Sequence, residues 1–334
     1  MSAHSWLNAI WYGATPPPLW LRLLSRVYGV VSGLRRLAYA MHLARASQLP
    51  CPVIVVGNLT AGGTGKTPLV CWLAGQLTEL GHKPGIVSRG YGGSSRRARL
   101  VHESDQPALV GDEAILLARR CHVPVATGRN RSEAARLLIY AGCNVVVSDD
   151  GLQHYALARN CEIVVIDGDR RFGNGRLLPA GPLREAPTRL KQASAVVFNG
   201  GDAPGEAGLR MRLLATNAVA MKFGTAKPLR EFSAQPVHAV AAIGNPQRFF
   251  ATLRAAGLTV IEHPLPDHAR LKIDDISFED DLAVLMTEKD AVKCREISGP
   301  HHWYVPVSVV FAPGDAEKLR AIAAKSIEEG APRA

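Results

Sequence analysis

Gly57-Asn-Leu-Thr-Ala-Gly-Gly-Thr-Gly-Lys-Thr-Pro68 follows the apolar run Val53-Ile-Val-Val56 and precedes Leu69, Leu73, Leu77 and Leu80, which recur at helical spacing up to Gly81. The order predicts strand, glycine-rich loop and helix. Glycines let successive backbone N–H groups close around phosphate oxygens, and the start of a helix adds positive potential there. The residues expected to cradle a nucleoside triphosphate are Thr60, Gly62, Gly63, Thr64, Gly65, Lys66 and Thr67. Lys66 would reach the β- and γ-phosphates and the Thr67 hydroxyl would hold Mg²⁺. Thr60 stands five residues before Gly65, where the strict pattern has its first glycine.

Outward from this loop, strand-like runs fall at 85–88, 123–126, 144–147 and 162–166, with helical stretches at 112–121 and 130–141. Alternating strands and helices predict an α/β fold: a P-loop NTPase-like, largely parallel sheet flanked by helices, with ligands at the carboxyl ends of the strands. Residues 168–192, rich in Gly, Pro and Arg, read as a long loop over that edge. A second α/β pattern begins near Val237, with a helix at 246–256 and strands at 258–262, 283–287 and 303–309. Three parts are expected: an N-terminal segment 1–48, a P-loop core 49–228 and a smaller α/β lobe 229–334.

The formal net charge is +10, and no acidic residue precedes Glu79. Residues 1–50 carry five arginines together with Trp6, Trp11, Trp20 and a run of leucines and valines between Leu19 and Leu37. Arg26 and Arg35 bracket an apolar run too short and too broken by Gly29 and Gly33 to span a bilayer, which takes about 20 apolar residues. The mixture predicts a membrane-associating helix lying on an anionic surface; a helix packed on the protein's own core, or an Arg-rich transit peptide, are the alternatives. No basic patch interleaved with stacking aromatics lies near the loop, so nucleic acid is not an expected partner. The six cysteines form no C-x-x-C pair, and several sit in apolar runs; reduced thiols and no structural zinc are expected.

Val145-Val-Val-Ser-Asp-Asp150 is an apolar strand ending in carboxylates, the usual second half of a P-loop site. Asp149 or Asp150, with Thr67, is expected at the metal. Gln153, also a metal candidate, and His154 stand just beyond Gly151, placed to orient water or substrate.

With these motifs in place, the chain resembles a known family. Gly57-Asn-x-Thr-x-Gly-Gly-Thr-Gly-Lys-Thr-Pro68, Ser88-Arg-Gly-Tyr91, Gly111-Asp-Glu113, Asp149-Asp-Gly-Leu-Gln-His154, Leu178-Pro-Ala-Gly-Pro-Leu-Arg-Glu185, Pro266-Asp-His268 and Thr287-Glu-Lys-Asp290 occur in the order seen in tetraacyldisaccharide 4'-kinases. These are the lipid A 4'-kinases of outer-membrane-bearing bacteria. The resemblance implies ATP as donor and Mg²⁺ as cofactor. It implies a lipid acceptor, the 4'-hydroxyl of a tetraacylated disaccharide 1-phosphate, and a peripheral place on the cytoplasmic face of the inner membrane. It further implies Asp112 as the catalytic base paired with His268, and Lys66 stabilising the transferred charge. Arg184 and Glu185 would close over nucleotide and metal, and Arg89, Tyr91, Arg131, His154 and Arg184 are the candidates to meet the acceptor, since Arg offers a bidentate fork for phosphate.

Two other classes fit the loop alone. Partitioning-type ATPases at membranes carry a second lysine before the paired glycines, where this chain has Ala61. A guanine nucleotide site would want Asn/Thr-Lys-x-Asp, whereas Lys289 directly precedes Asp290.

Overall fold

The computed structural model describes residues 3–201, 207–267 and 269–330. Two helices, α1 (Ala3–Tyr12) and α2 (Leu19–Ala40), flank the prolines at 16–18. Then come β1 (Val53–Gly57), α3 (Lys66–Glu79), β2 (Pro84–Ser88), β3 (Arg99–Val101), α4 (Pro107–Val110), α5 (Asp112–Cys121), β4 (Val125–Thr127), α6 (Arg131–Tyr140), β5 (Val145–Asp149) and β6 (Cys161–Asp167). After the long loop follow β7 (Ala195–Asn199), β8 (Leu209–Leu214), β9 (Asn217–Ala220), β10 (Ala226–Pro228), β11 (Val237–Ala241) and α7 (Pro246–Ala255). The chain ends with β12 (Val260–Pro264), β13 (Val284–Thr287), α8 (Glu288–Cys294), β14 (His302–Val305), β15 (Ser308–Phe311) and α9 (Asp315–Gly330).

The larger sheet has nine strands in the order β15-β8-β7-β6-β1-β5-β2-β4-β3, parallel except for its two edges β15 and β3. Its central strands β1, β2, β5 and β6 are buried along their whole length, as expected where helices cover both faces. Leu69, Val70, Leu73, Ala74 and Leu77 of α3 pack on one face. The smaller sheet runs β10-β9-β14-β13-β11-β12, parallel from β14 to β12.

The expected boundary at 228/229 does not coincide with the division between the sheets. β9 and β10, before that boundary, belong to the smaller sheet, where Trp303 pairs with Ala220 and Tyr304 with Val219. The strand expected at 303–309 is two strands: β14 ends at Val305, and beyond Pro306, which has no N–H for a ladder, β15 crosses to pair with β8 in the larger sheet. Helix α9 follows it and buries Leu319, Ala323 and Ile327 in the larger core. The chain thus leaves the large sheet after β8 and returns to it, connections that local periodicity does not reveal.

Helix α2 buries Leu21 and Ser25, while Leu19, Trp20, Leu23, Leu24, Val27, Val30, Val31, Leu34 and Leu37 stand exposed. Trp20 stacks on Trp6 of α1. No described helix is long and apolar enough to cross a membrane.

The expectation of six reduced thiols is corrected at one pair. Cys71 of α3 and Cys121 of α5 form a disulfide, with their Cα atoms 5.0 Å apart. Helix packing, not a short sequence spacing, brings them together. The other four cysteines are buried.

Candidate active site

The loop after β1 is braced from within. Buried Asn58 donates its side-chain amide to the carbonyls of Thr60 at 2.7 Å and Gly62 at 3.3 Å. Gly65, just before α3, has φ 89°, and a Cβ there would stand 2.4 Å from Nδ2 of Asn199, so only glycine fits. That same Asn199 amide, at the end of β7, donates to the Thr64 carbonyl at 3.0 Å. Gly62 to Thr67 line a cavity of about 740 Å³, at which the N-terminus of α3 points. Thr60 departs from expectation: it is buried in a bridge with Leu183 and is absent from the cavity wall. Packing against the long loop explains why a side chain is tolerated where the strict pattern has glycine.

The two acids at the end of β5 have opposite surroundings. Asp150, in the left-handed region at φ 49°, lies 3.4 Å from Lys66 Nζ and accepts from Arg184 Nη1 at 2.9 Å. Although burial opposes its charge, the neighbouring Lys66 and Arg184 hold it well below the usual carboxylate range. Asp149 is 2% exposed, and its Oδ1 has no hydrogen-bond partner. Burial, and then the facing Glu113 carboxylate, push it up to about 7. An orphaned, buried carboxylate oxygen beside a second carboxylate is a place where a divalent cation fits. Asp149, Glu113 and Thr67 all line the cavity, which makes them the fitting oxygen donors for Mg²⁺.

Two other expected metal residues are placed otherwise. Glu185 is 7% exposed, bonded to Gln153 Nε2 at 3.0 Å and to the Tyr155 hydroxyl, with Arg189 at 3.6 Å; both its oxygens serve the protein. Gln153 spans from Glu185 to the Asn58 carbonyl, and its amide oxygen accepts from Arg184. Glu185 thus braces the loop from outside the cavity lining, and Gln153, its polar atoms engaged, also lines the cavity.

The smaller sheet supplies the far wall. A Cβ on Gly244 would lie 2.9 Å from the amide nitrogen of Gly63, so the two lobes meet at the phosphate loop itself. Helix starts are aimed here by their caps: Asn245 accepts from Arg248 N, and Thr287 from Asp290 N. Arg248 reaches across to Asp167 at 2.6 Å, and Arg170 reaches back to the Gly244 carbonyl at 3.0 Å. Lys289 pairs with Glu113 at 2.9 Å; burial opposes its charge, but Glu113, Asp112 and Asp267 raise it above the ordinary lysine range. Asp112 starts α5, is 8% exposed and stands 3.8 Å from Lys293 Nζ. Glu113, next in the chain, lines the cavity, and Asp112 adjoins it. His268 falls outside the described residues.

A second chamber of about 660 Å³ shares Arg89, Tyr91, Arg131, Asp150, Gln153 and Arg184 with the first. It adds Arg35 from α2, Arg129, His154 and the glycines at 90, 92 and 93. All five residues expected at an acceptor, Arg89, Tyr91, Arg131, His154 and Arg184, are therefore brought to one place. Arg131 is 3% exposed, bonds Ser148 Oγ and is lowered by burial only to about 10, so it stays charged. Burial, reinforced by Arg131 and Arg159, lowers His154 to about 4, and its Nε2 has no partner. A neutral imidazole and several guanidinium groups facing one chamber suit an anionic, hydroxyl-bearing ligand.

Sequence reasoning did not assign roles to Glu113, Asn199, Arg248 or Lys289. For Asn199 a signal was present: an apolar strand ending in a polar side chain, the pattern that marked Asp149. Glu113 and Lys289 lay inside recognised motifs, but their pairing depends on how the lobes meet.

Comparisons with known proteins agree in one direction. The family described as tetraacyldisaccharide-1-P 4'-kinase matches residues 18–327. The tetraacyldisaccharide 4'-kinase of Methylobacillus flagellatus is 49% identical over 331 residues, 98% of each chain. That of Nitrosococcus oceani is 49% identical over 301 residues, 90% of this chain and 88% of its own. Among solved structures, LpxK from Aquifex aeolicus in complex with ATP superposes with a TM-score of 0.76 at 27% identity, covering 91% of this chain and 97% of that one.

Proposed function

This chain belongs to the tetraacyldisaccharide-1-P 4'-kinase family, and on that premise we propose the reaction its residues perform: transfer of the γ-phosphoryl of ATP to the 4'-hydroxyl of a tetraacylated disaccharide 1-phosphate, in lipid A biosynthesis. The observation that carries this reading is the shared wall of the two chambers. The phosphate loop opens on one side of Arg89, Arg131, Asp150 and Arg184, and the basic chamber, reached by Arg35 of α2, opens on the other. A partitioning-type ATPase has only the loop in common with this chain, whereas the family match extends far beyond it.

Phosphoryl transfer asks mainly for positioning and for neutralisation of charge on the transferred group. Backbone N–H groups of residues 62–67 and the Lys66 ammonium would bind the donor phosphates. Lys66 and Arg184 are both held on Asp150 at the mouth of the loop, so two cations stand ready with little reorganisation. Mg²⁺, for which Asp149, Glu113 and Thr67 are the fitting donors, would neutralise the phosphates when bound. Asp112 takes the role of accepting the sugar hydroxyl proton. Arg89, Arg131 and neutral His154 would orient the acceptor. The purified chain with Mg-ATP is expected to phosphorylate the lipid disaccharide 1-phosphate in detergent micelles; vigorous ATP hydrolysis without labelled lipid would overturn the reading.

The exposed face of α2 would seat the enzyme on the cytoplasmic leaflet of the inner membrane, where the acceptor lies. Leu23, Val30 and Leu34 are 52%, 61% and 61% exposed and share one stripe of the helix. Burying such side chains contributes about 1.5–3 kcal/mol each, so the triple variant Leu23→Glu/Val30→Glu/Leu34→Glu is expected to bind anionic vesicles roughly a hundredfold or more weakly, with its melting midpoint little changed. Undiminished co-sedimentation with vesicles would refute the interfacial role. Deleting the whole segment is a poorer test, because α1 and α2 also hold the loop described next.

A further inference from the structure

The long loop between β6 and β7 carries Arg184 to Asp150, and it is clamped from two sides. On one side lies the phosphate loop: Ala61 N donates to the Pro182 carbonyl at 2.7 Å, and Arg184 N donates to the Leu59 carbonyl at 2.6 Å. On the other side lie the N-terminal helices. Trp11 Nε1 donates to the Pro179 carbonyl at 3.0 Å, Ser25 Oγ to the Leu177 carbonyl at 2.8 Å, and the Tyr28 hydroxyl to the Arg184 carbonyl at 3.1 Å. Leu21, Ser25 and Tyr28 follow one another at i, i+4 and i+7 along α2, on the face opposite exposed Leu19, Leu23, Val30, Leu34 and Leu37. The helix therefore presents an apolar stripe outward and a set of hydroxyl donors inward.

These bonds form an unbroken path from the surface to the site. Tyr28 holds the main-chain carbonyl of the residue whose guanidinium donates to both oxygens of Asp150, and Lys66 lies 3.4 Å from that same carboxylate. Tyr28 also lines the donor cavity. We infer that Tyr28 is a positioning residue for phosphoryl transfer: through the Arg184 carbonyl it fixes the guanidinium beside Asp150, and so ties the lipid-facing helix to the donor site. The inference rests on the kinase reading above and adds to it a mechanical link between membrane seating and turnover. It acts through Arg184 and not through contact with the reacting atoms. Its signature is a change in kcat, with the binding of ATP, acceptor and membrane left alone.

Tyr28→Phe keeps the ring and removes the donor. In mixed micelles, with radiolabelled ATP so that residual turnover stays measurable, the full chain carrying Tyr28→Phe is expected to lose about fivefold in kcat, the size of one neutral hydrogen bond. KM for ATP and for the lipid acceptor, and co-sedimentation with anionic vesicles, are expected to stay within about twofold. On an Arg184→Ala background the same change is expected to cost nothing further, because its effect passes through Arg184. An unchanged kcat in Tyr28→Phe would overturn the inference, as would a fivefold loss that persists in full on the Arg184→Ala background, since that loss would then be structural. A wild-type chain that labels no lipid would instead refute the kinase reading itself, so the two failures are told apart.

Discussion

Asp112→Ala is expected to lower turnover by about 10²–10⁴-fold, the range for loss of a general base, while Mg-ATP still binds within a few-fold of normal. The expectation combines the Gly111-Asp-Glu113 motif with the position of the side chain at the start of α5. Asp112 Oδ1 accepts from Glu113 N at 3.0 Å, and its Oδ2 lies 3.8 Å from Lys293. Lys293 is held by Asp290 at 2.9 Å, and Asp290 is itself fixed by Thr287 and by the amide of Ala242. The carboxylate is thus supported from the smaller lobe and adjoins Glu113, which faces the cavity. A purely structural Asp112, serving to join α5 to α8 through Lys293, predicts a different outcome. Then Lys293→Met would cost as much as Asp112→Ala, the melting midpoint would fall in both, and the kinetic damage would fall on KM for ATP and not on kcat. Near-normal kcat in Asp112→Ala would remove the base assignment.

The parts of this molecule that local chemistry specifies were legible in the sequence. Val53–Gly57 and the glycines after it fix strand, loop and helix with only residues 58–65 between strand and helix, and the apolar strand ending at Asp149 announces its partner. The expected helices at 112–121 and 130–141 lie within a residue of α5 and α6. What stayed hidden depends on pairing between distant segments. β9 and β10 are short and partly exposed, so nothing in their periodicity says that they join the smaller sheet. Pro306 marks a break, but not that the chain crosses between sheets there. Similarly, two adjacent carboxylates at 149 and 150 are equivalent in sequence. Only the fold turns one toward Lys66 and Arg184 and leaves the other with an unpartnered oxygen. Glu185 shows the opposite failure: a motif glutamate that looks free in sequence is consumed by Gln153, Tyr155 and Arg189.

That asymmetry makes Asp149→Asn the most diagnostic change for the proposed Mg²⁺ site. Loss of one carboxylate to the cation removes several kcal/mol of charge stabilisation, and turnover is expected to fall by about 10²–10³-fold. The same variant is expected to be more stable than the parent when Mg²⁺ is withheld. Asp149 rises from 3.8 to about 7 on folding, so between these values the folded chain holds more protons than the unfolded one, and stability falls as pH climbs through the window. His154 works the other way, because its drop from 6.5 to about 4 makes stability rise over that interval. Asp150, held low, has its full stabilising effect throughout neutral pH. Above about 6.5 the Asp149 contribution is therefore left unopposed by His154. In EDTA, the melting midpoint of Asp149→Asn minus that of wild type is expected to grow from pH 5 to pH 8. Mg²⁺ is expected to raise wild type most at the alkaline end and the variant little at any pH, because only a carboxylate repays its buried charge by binding the ion. Parallel melting curves for the two proteins across that range, with equal responses to Mg²⁺, would place the cation elsewhere in the cavity.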